Sequence, residues 1–143
     1  MKIIIITFLL VSSLFAHHCN MNLKIQILEN ICSGIENIEN MKIYSNDSEI
    51  QQSFEKSKKF HVVKSFKEAQ IIILTKDTKL VKEFPNKHIF VLKYNLLEKI
   101  PNSFGAFFWK KGRPNIVFIK PRLEKQSLKL ASDLEPYIEE KIW

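Results

Sequence analysis

The chain has 143 residues, with 22 Lys and Arg against 15 Asp and Glu for a formal charge of +7, and it carries two cysteines and three glycines. That length suits a single domain with one core. Three glycines, Gly34, Gly105 and Gly112, cannot supply a dinucleotide-binding fingerprint, so nucleotide binding of that kind is excluded.

Residues 1–16, MKIIIITFLLVSSLFA, place Lys2 before an apolar run from Ile3 to Val11 and end on small residues and Ala16, the pattern of a secretory signal peptide. A bilayer core requires roughly 20 apolar residues. The run is shorter, and His17, His18 and Asn20 follow at once, so cleavage after Ala16 is expected to release residues 17–143 as a periplasmic domain. A lipoprotein would need its cysteine directly after the small residue, whereas two histidines precede Cys19. The basic residues are scattered, Lys56 to Lys67 in one region and Lys110, Lys111 and Arg113 in another. They read as a solvated surface or as attraction to an acidic partner or the anionic membrane face, and export argues against nucleic acid.

Asn20 to Gly34 reads as a helix, with Leu23, Ile27, Leu28, Ile31 and Ile35 on one stripe. Met41 to Ser45 is a strand, and Asn46, Asp47 and Ser48 offer cap oxygens to a helix through Lys58 that turns Ile50 and Phe54 inward. Phe60 to Lys64 is a second strand, Ser65 to Glu68 a capped turn, and Ala69 to Thr75 a central strand because its β-branched run is the most continuous in the chain. Asp77 or Thr78 caps a helix carrying Leu80, Val81 and Phe84, ended by Pro85 and Asn86 before the strand His88 to Lys93. Tyr94 to Ser103 is a polar-rich connection around Pro101.

From Phe104 onward two apolar runs, GAFFW and NIVFI, flank the turn-forming KKGRP, which predicts a β-hairpin. Neither run alternates, so both faces are expected to be covered and the hairpin to lie inside the sheet. Pro121 opens a helix from Arg122 to Leu130, and Ser132 to Trp143 is a short last helix with Leu134, Tyr137, Ile138 and Ile142 inward. Strands alternating with helices predict an α/β class: a single domain with a mixed, mostly parallel sheet, helices on both faces and a C-terminal β-hairpin.

Cys19 and Cys32 flank helical sequence that would hold their backbones about 20 Å apart at about 1.5 Å per residue, beyond a disulfide's reach of about 7 Å. Either the thiols are unjoined, with Cys32 in the core and Cys19 an exposed redox thiol, or the amino terminus doubles back along the helix. His17, His18 and Cys19 are metal-ligand types on a terminal segment with no second cluster, since His61 and His88 stand singly, so no metal and no cofactor are expected. No nucleophile with a base, phosphate loop or paired carboxylates is apparent, which points away from an enzyme. Phe107, Phe108 and Trp109 beside Lys110, Lys111 and Arg113 combine aromatic and cationic groups. Phe107 and Trp109 share one side of the strand, so Phe107, Trp109, Lys111 and Arg113 are the candidate partner contacts if that side is open.

The pieces Gly105, AFFW, KKGR, NIVFI, PRLEKQS and the Leu128-Lys129-Leu130 step, together with LKIQILENI, KIYSND, AQIIIL and HIFVLK upstream, resemble the YfiR/HmsC-type periplasmic family. The Trp-Pro that closes the family's first helix is absent around Ile35, and Ala69 stands where many members carry a cysteine, so the family's disulfide is not carried over. The resemblance implies a small regulator that docks on the outward-facing domain of a membrane signalling protein, such as a diguanylate cyclase or sensor kinase, and holds its output down. Homodimerisation and proximity to the membrane surface fit such a role. The alternatives are a solute-binding module with a pocket at the carboxyl ends of the parallel strands, and a structural protein of the envelope surface.

Overall fold

The structure, a computed structural model, describes residues 20–143; the expected signal peptide, His17, His18 and Cys19 lie outside the described residues. A helix, α1, spans residues 20–33. Leu28, Ile31 and Cys32 are buried at helical spacing, whereas Leu23, expected on the same stripe, is 40% exposed.

Residues 34–143 form a separate compact unit, and the α/β fold lies there. Its strands are β1 (Lys42–Ser45), β2 (His61–Val62), β3 (Ile71–Leu74), β4 (His88–Val91), β5 (Ser103–Lys110), β6 (Arg113–Ile119) and β7 (Ile138–Glu139), in the spatial order β2-β1-β3-β4-β5-β6-β7. The first five in that order are parallel, β6 is antiparallel to β5, and β7 is parallel to β6. The class is therefore α/β with a mostly parallel sheet, as the strand–helix alternation predicts. β3 is the middle of the five parallel strands, and all four of its residues are buried.

Helices α2 (Ser48–Ser57), α3 (Leu80–Glu83), α4 (Asn95–Lys99) and α5 (Lys120–Lys125) fill the connections. Asp47 caps α2, its Oδ1 accepting from the amides of Glu49 at 3.0 Å and Ile50 at 3.2 Å. Lys58 ends it in the left-handed region at φ 55°. Ile72, Leu74, Ile89 and Val91 bury one sheet face with Val81 of α3 and Leu96 and Leu97 of α4. Each such side chain stabilises the fold by roughly 1.5–3 kcal/mol. Ile71 and Ile73 point the other way and are also buried. The chain moves one way along the sheet from β1 to β2 and the opposite way from β3 to β5, so right-handed crossovers put α2 on the face away from α3 and α4.

β5 carries a bulge: Ile89 lies opposite Ser103 but Phe90 opposite Gly105, so Phe104 is the extra residue. Its ring meets Phe90 at 5.5 Å and stacks on Phe118 at 6.3 Å with an interplanar angle of 2°. Gly105 has no room for a side chain, because a Cβ would sit 2.6 Å from the Val117 carbonyl oxygen and 2.8 Å from Phe118 Cδ1.

Four expectations are corrected. The connection Tyr94 to Ser103 contains α4, whose Leu96, Leu97 and following Ile100 are buried. Its carboxyl end is capped from a distance by Arg122, whose Nη1 donates to the carbonyls of Leu97 at 2.9 Å, Ile100 at 3.3 Å and Ser103 at 2.9 Å. The helix after Pro121 ends at Lys125 rather than Leu130: Ser127 takes φ 53°, and the backbone of Leu130 bridges Ile35 instead. Ser132 to Trp143 is not one helix. A 3₁₀-helix, Ser132–Tyr137, contains Pro136, and the chain then extends into β7; Leu134 is buried, but Tyr137 is 42% exposed. The second strand is only His61–Val62.

Candidate functional site

The hairpin is built so that its far end leaves the sheet. β4 accompanies β5 only as far as Ala106, opposite Val91, while β6 pairs with β5 out to Lys110 and Arg113. On its other side β6 meets β7 only at Phe118 and Ile119. Phe107 to Lys110 and Arg113 to Val117 therefore stand out as a two-stranded ribbon. It is closed by Lys111 and Gly112, both at positive φ (51° and 73°), the geometry of a two-residue type I′ turn that suits the twist of the strands.

Burial changes along the ribbon rather than between its faces, which corrects the expectation of a covered hairpin. Phe107 is buried, Phe108 is half-buried, and Trp109 is 39% exposed; Lys110, Lys111, Gly112, Arg113 and Pro114 are all exposed. Phe107 meets Trp109 edge-on at 5.8 Å, and Phe108 meets Tyr94 at 5.0 Å. Of the four residues singled out as partner contacts, the structure brings Trp109, Lys111 and Arg113 to the tip. Phe107 is a correction: at 1% exposure it supports the Trp109 ring and offers no contact surface itself.

Lys110, Lys111, Arg113 and Asn115 bound a concavity of about 450 Å³ at the tip, with no carboxylate among these lining residues. Behind it, Phe108, Trp109, Ile116 and Trp143 help to line an apolar groove of about 480 Å³. Tyr94 holds the last residue there: its hydroxyl donates to the Trp143 carbonyl at 2.7 Å and accepts from the Trp143 amide at 2.9 Å. The Lys141 ammonium lies 4.2 Å from the Trp143 ring centroid, a cation–π contact. Nothing in the sequence pairs Tyr94 with Trp143, which stand 49 positions apart.

At the carboxyl ends of the parallel strands Asn46 ties β1 to β3: its Oδ1 accepts from Thr75 N at 2.9 Å and Thr75 Oγ1 at 3.2 Å, and its Nδ2 donates to Lys76 O at 3.3 Å. A cleft of about 260 Å³ beside it is lined by Asp77, Thr78, Lys79 and Lys82. A larger cleft of about 520 Å³ opens at the opposite, amino-terminal ends of β4 and β5, where His88 and Asn102 stand. Among the described residues no group of three His, Cys, Asp or Glu could hold a metal ion, and no helix is long and apolar enough to cross a membrane. The Cys32 thiol is buried and free, and burial, with Glu29 adding to it, pushes its pKa up to about 12; Cys19 lies outside the described residues.

Compared with known proteins, the chain matches no family model, no curated protein and no solved structure.

Proposed function

We propose that this chain is a periplasmic regulatory protein that docks, through the tip of its hairpin, on an acidic face of the outward-facing domain of a membrane signalling protein and modulates that protein's output. The observation that carries the reading is Trp109, exposed beside Lys110, Lys111 and Arg113 at the end of a ribbon that leaves its sheet. A large aromatic ring next to guanidinium and ammonium groups is the composition of an interface anchor, and Phe107 beneath it fixes the ring in advance, so little side-chain entropy is lost on docking. The leader-like residues 1–16 support the compartment, and the kinship in pattern to YfiR/HmsC-type regulators supports the kind of partner. The regulator performs no bond chemistry. It shifts its target by binding one form of it more tightly than the other.

The test is cross-linking of the tagged chain in its own cells, followed by identification of what is captured in the membrane fraction. The natural chain is expected to capture a membrane signalling protein. A Trp109→Ala, Arg113→Glu variant with an unchanged melting temperature is expected to lose at least about tenfold of it, the cost of removing an aromatic and a charged anchor. Capture of no signalling protein, or equal capture by the variant, overturns the reading.

A further inference from the structure

The cleft at the amino-terminal ends of β4 and β5 has its walls fixed before anything enters it. Gln126, the residue that follows α5, donates through Nε2 to the Asn102 carbonyl at 2.9 Å. Its Oε1 is then the acceptor for His88 Nδ1–H, also at 2.9 Å. The Asn102 amide donates back to the carbonyls of Lys87 and Pro85 at 3.3 and 3.4 Å. These bonds clamp α5, the start of β4 and the start of β5 together. At about 520 Å³ the cleft falls within the range of small-molecule sites.

Like the tip concavity, this cleft is cationic, but here the charge lies in a cleft whose walls are clamped. Lys82, Lys87, Arg122 and Lys125 line it, and no carboxylate is among the described residues that do. None of the four is in a salt bridge among the described residues. The partners of Lys87 and Arg122 are backbone carbonyls and the Ser103 hydroxyl, which orient a cation without neutralising it. The Lys87 ammonium donates to the Lys67 and Ala69 carbonyls, and with three donors it keeps a third. Among the described residues Arg122 bonds only through Nη1, so its Nε and Nη2 groups keep their hydrogens for another acceptor. Like charges confined to a concave surface focus their field on it, and holding four of them there uncompensated is unfavourable until an anion arrives.

We infer that this cleft binds a small, multiply charged oxyanion, of the phosphate-ester or di- and tricarboxylate class. The exposed Lys82 of α3 and Lys125 of α5 are its rim lysines, the half-buried Lys87 and Arg122 complete its cationic lining, and Val81, Pro85 and Pro101 supply apolar wall for the ligand's carbon skeleton. The site lies at the end of β5 remote from the hairpin tip and does not depend on what the tip contacts.

The experiment is isothermal titration of the purified chain with pyrophosphate and, separately, with citrate, against sodium chloride at matched ionic strength. Saturable binding of at least one is expected, and which of the two binds more tightly assigns phosphate or carboxylate as the group recognised. Replacing both rim lysines, Lys82→Gln with Lys125→Gln, is expected to weaken binding at least about tenfold, since two charge-assisted hydrogen bonds go. A Lys111→Gln, Arg113→Gln variant at the tip is expected to bind as the natural chain does. Should the rim double variant melt early, each single lysine variant is expected to weaken binding by itself. Heats no larger than the chloride control with both anions, or a loss that follows the tip variant instead of the rim variants, overturn the inference.

Discussion

Two glycines 7 positions apart illustrate how one substitution acts through different physics. At Gly105 a methyl group would lie 2.6 Å from a backbone oxygen inside the phenylalanine cluster, so Gly105→Ala must push β6 away and is expected to cost roughly 1–3 kcal/mol, the range for overpacked cores. At Gly112 nothing lies within 4 Å, and the cost of Gly112→Ala comes only from its φ of 73°, about 1 kcal/mol. Urea titration of both variants checks the order: Gly105→Ala is expected to be the more harmful. Cys32 gives a pH dependence with a definite sign. Its thiol is neutral in both states below the ordinary value of 9.0; above it the unfolded chain ionises while the folded one resists up to about 12. The thiol's contribution is therefore whole below pH 9 and lost as pH climbs toward 12, and Cys32→Ala is expected to flatten the fall in denaturant midpoint across that window. The same burial keeps the folded thiol inert to alkylation at neutral pH.

Among the elements, the hairpin turn is less than ideal. Lys111 holds φ 51°, a conformation that asparagine adopts more readily than lysine, so Lys111→Asn is expected to raise the melting temperature by about 2–4 °C, readable by calorimetry. Much of this architecture was legible in the sequence. The Asp47 cap, the IIIL strand and the turn KKGR each announce themselves with local chemistry that tertiary structure did not override. α4 did not, because Leu96, Leu97 and Ile100 are too few to establish a period and its carboxyl-end cap comes from Arg122, 22 residues beyond Ile100. β7 was hidden for a related reason: its two residues gain strand character only by pairing with Phe118 and Ile119. The exposure gradient along the ribbon was equally illegible, since GAFFW is apolar throughout and only the early end of β4 partnership at Ala106 uncovers Trp109. The cationic cleft takes its lining from three separated segments, 81–88, 101–102 and 122–126, whose lysines Lys82, Lys87 and Lys125 each read as ordinary surface.

For the α/β unit as a whole, stability is graded outward from β3. β3 is flanked by two hydrogen-bonded strands and buried on both faces, whereas β2 and β7 are two residues long and lie at the sheet's edges. Hydrogen exchange followed by mass spectrometry is expected to show the amides of Ile71 to Leu74 and His88 to Val91 exchanging last, at rates set by global unfolding, and those of His61, Val62, Ile138 and Glu139 first. A uniform rate across all seven strands would contradict that gradient. One feature of the ribbon bears on how such a molecule survives at high concentration. From Arg113 to Val117 the outer side of β6 has no neighbouring strand among the described residues, and an open strand edge is a template on which identical chains can stack. Pro114 contributes no N–H to such stacking, and Arg113 sets like charges against each other when two ribbons meet in register. The segment most available to a foreign surface is thus guarded against its own kind, and a chain lacking those two guards would be a candidate for fibril growth.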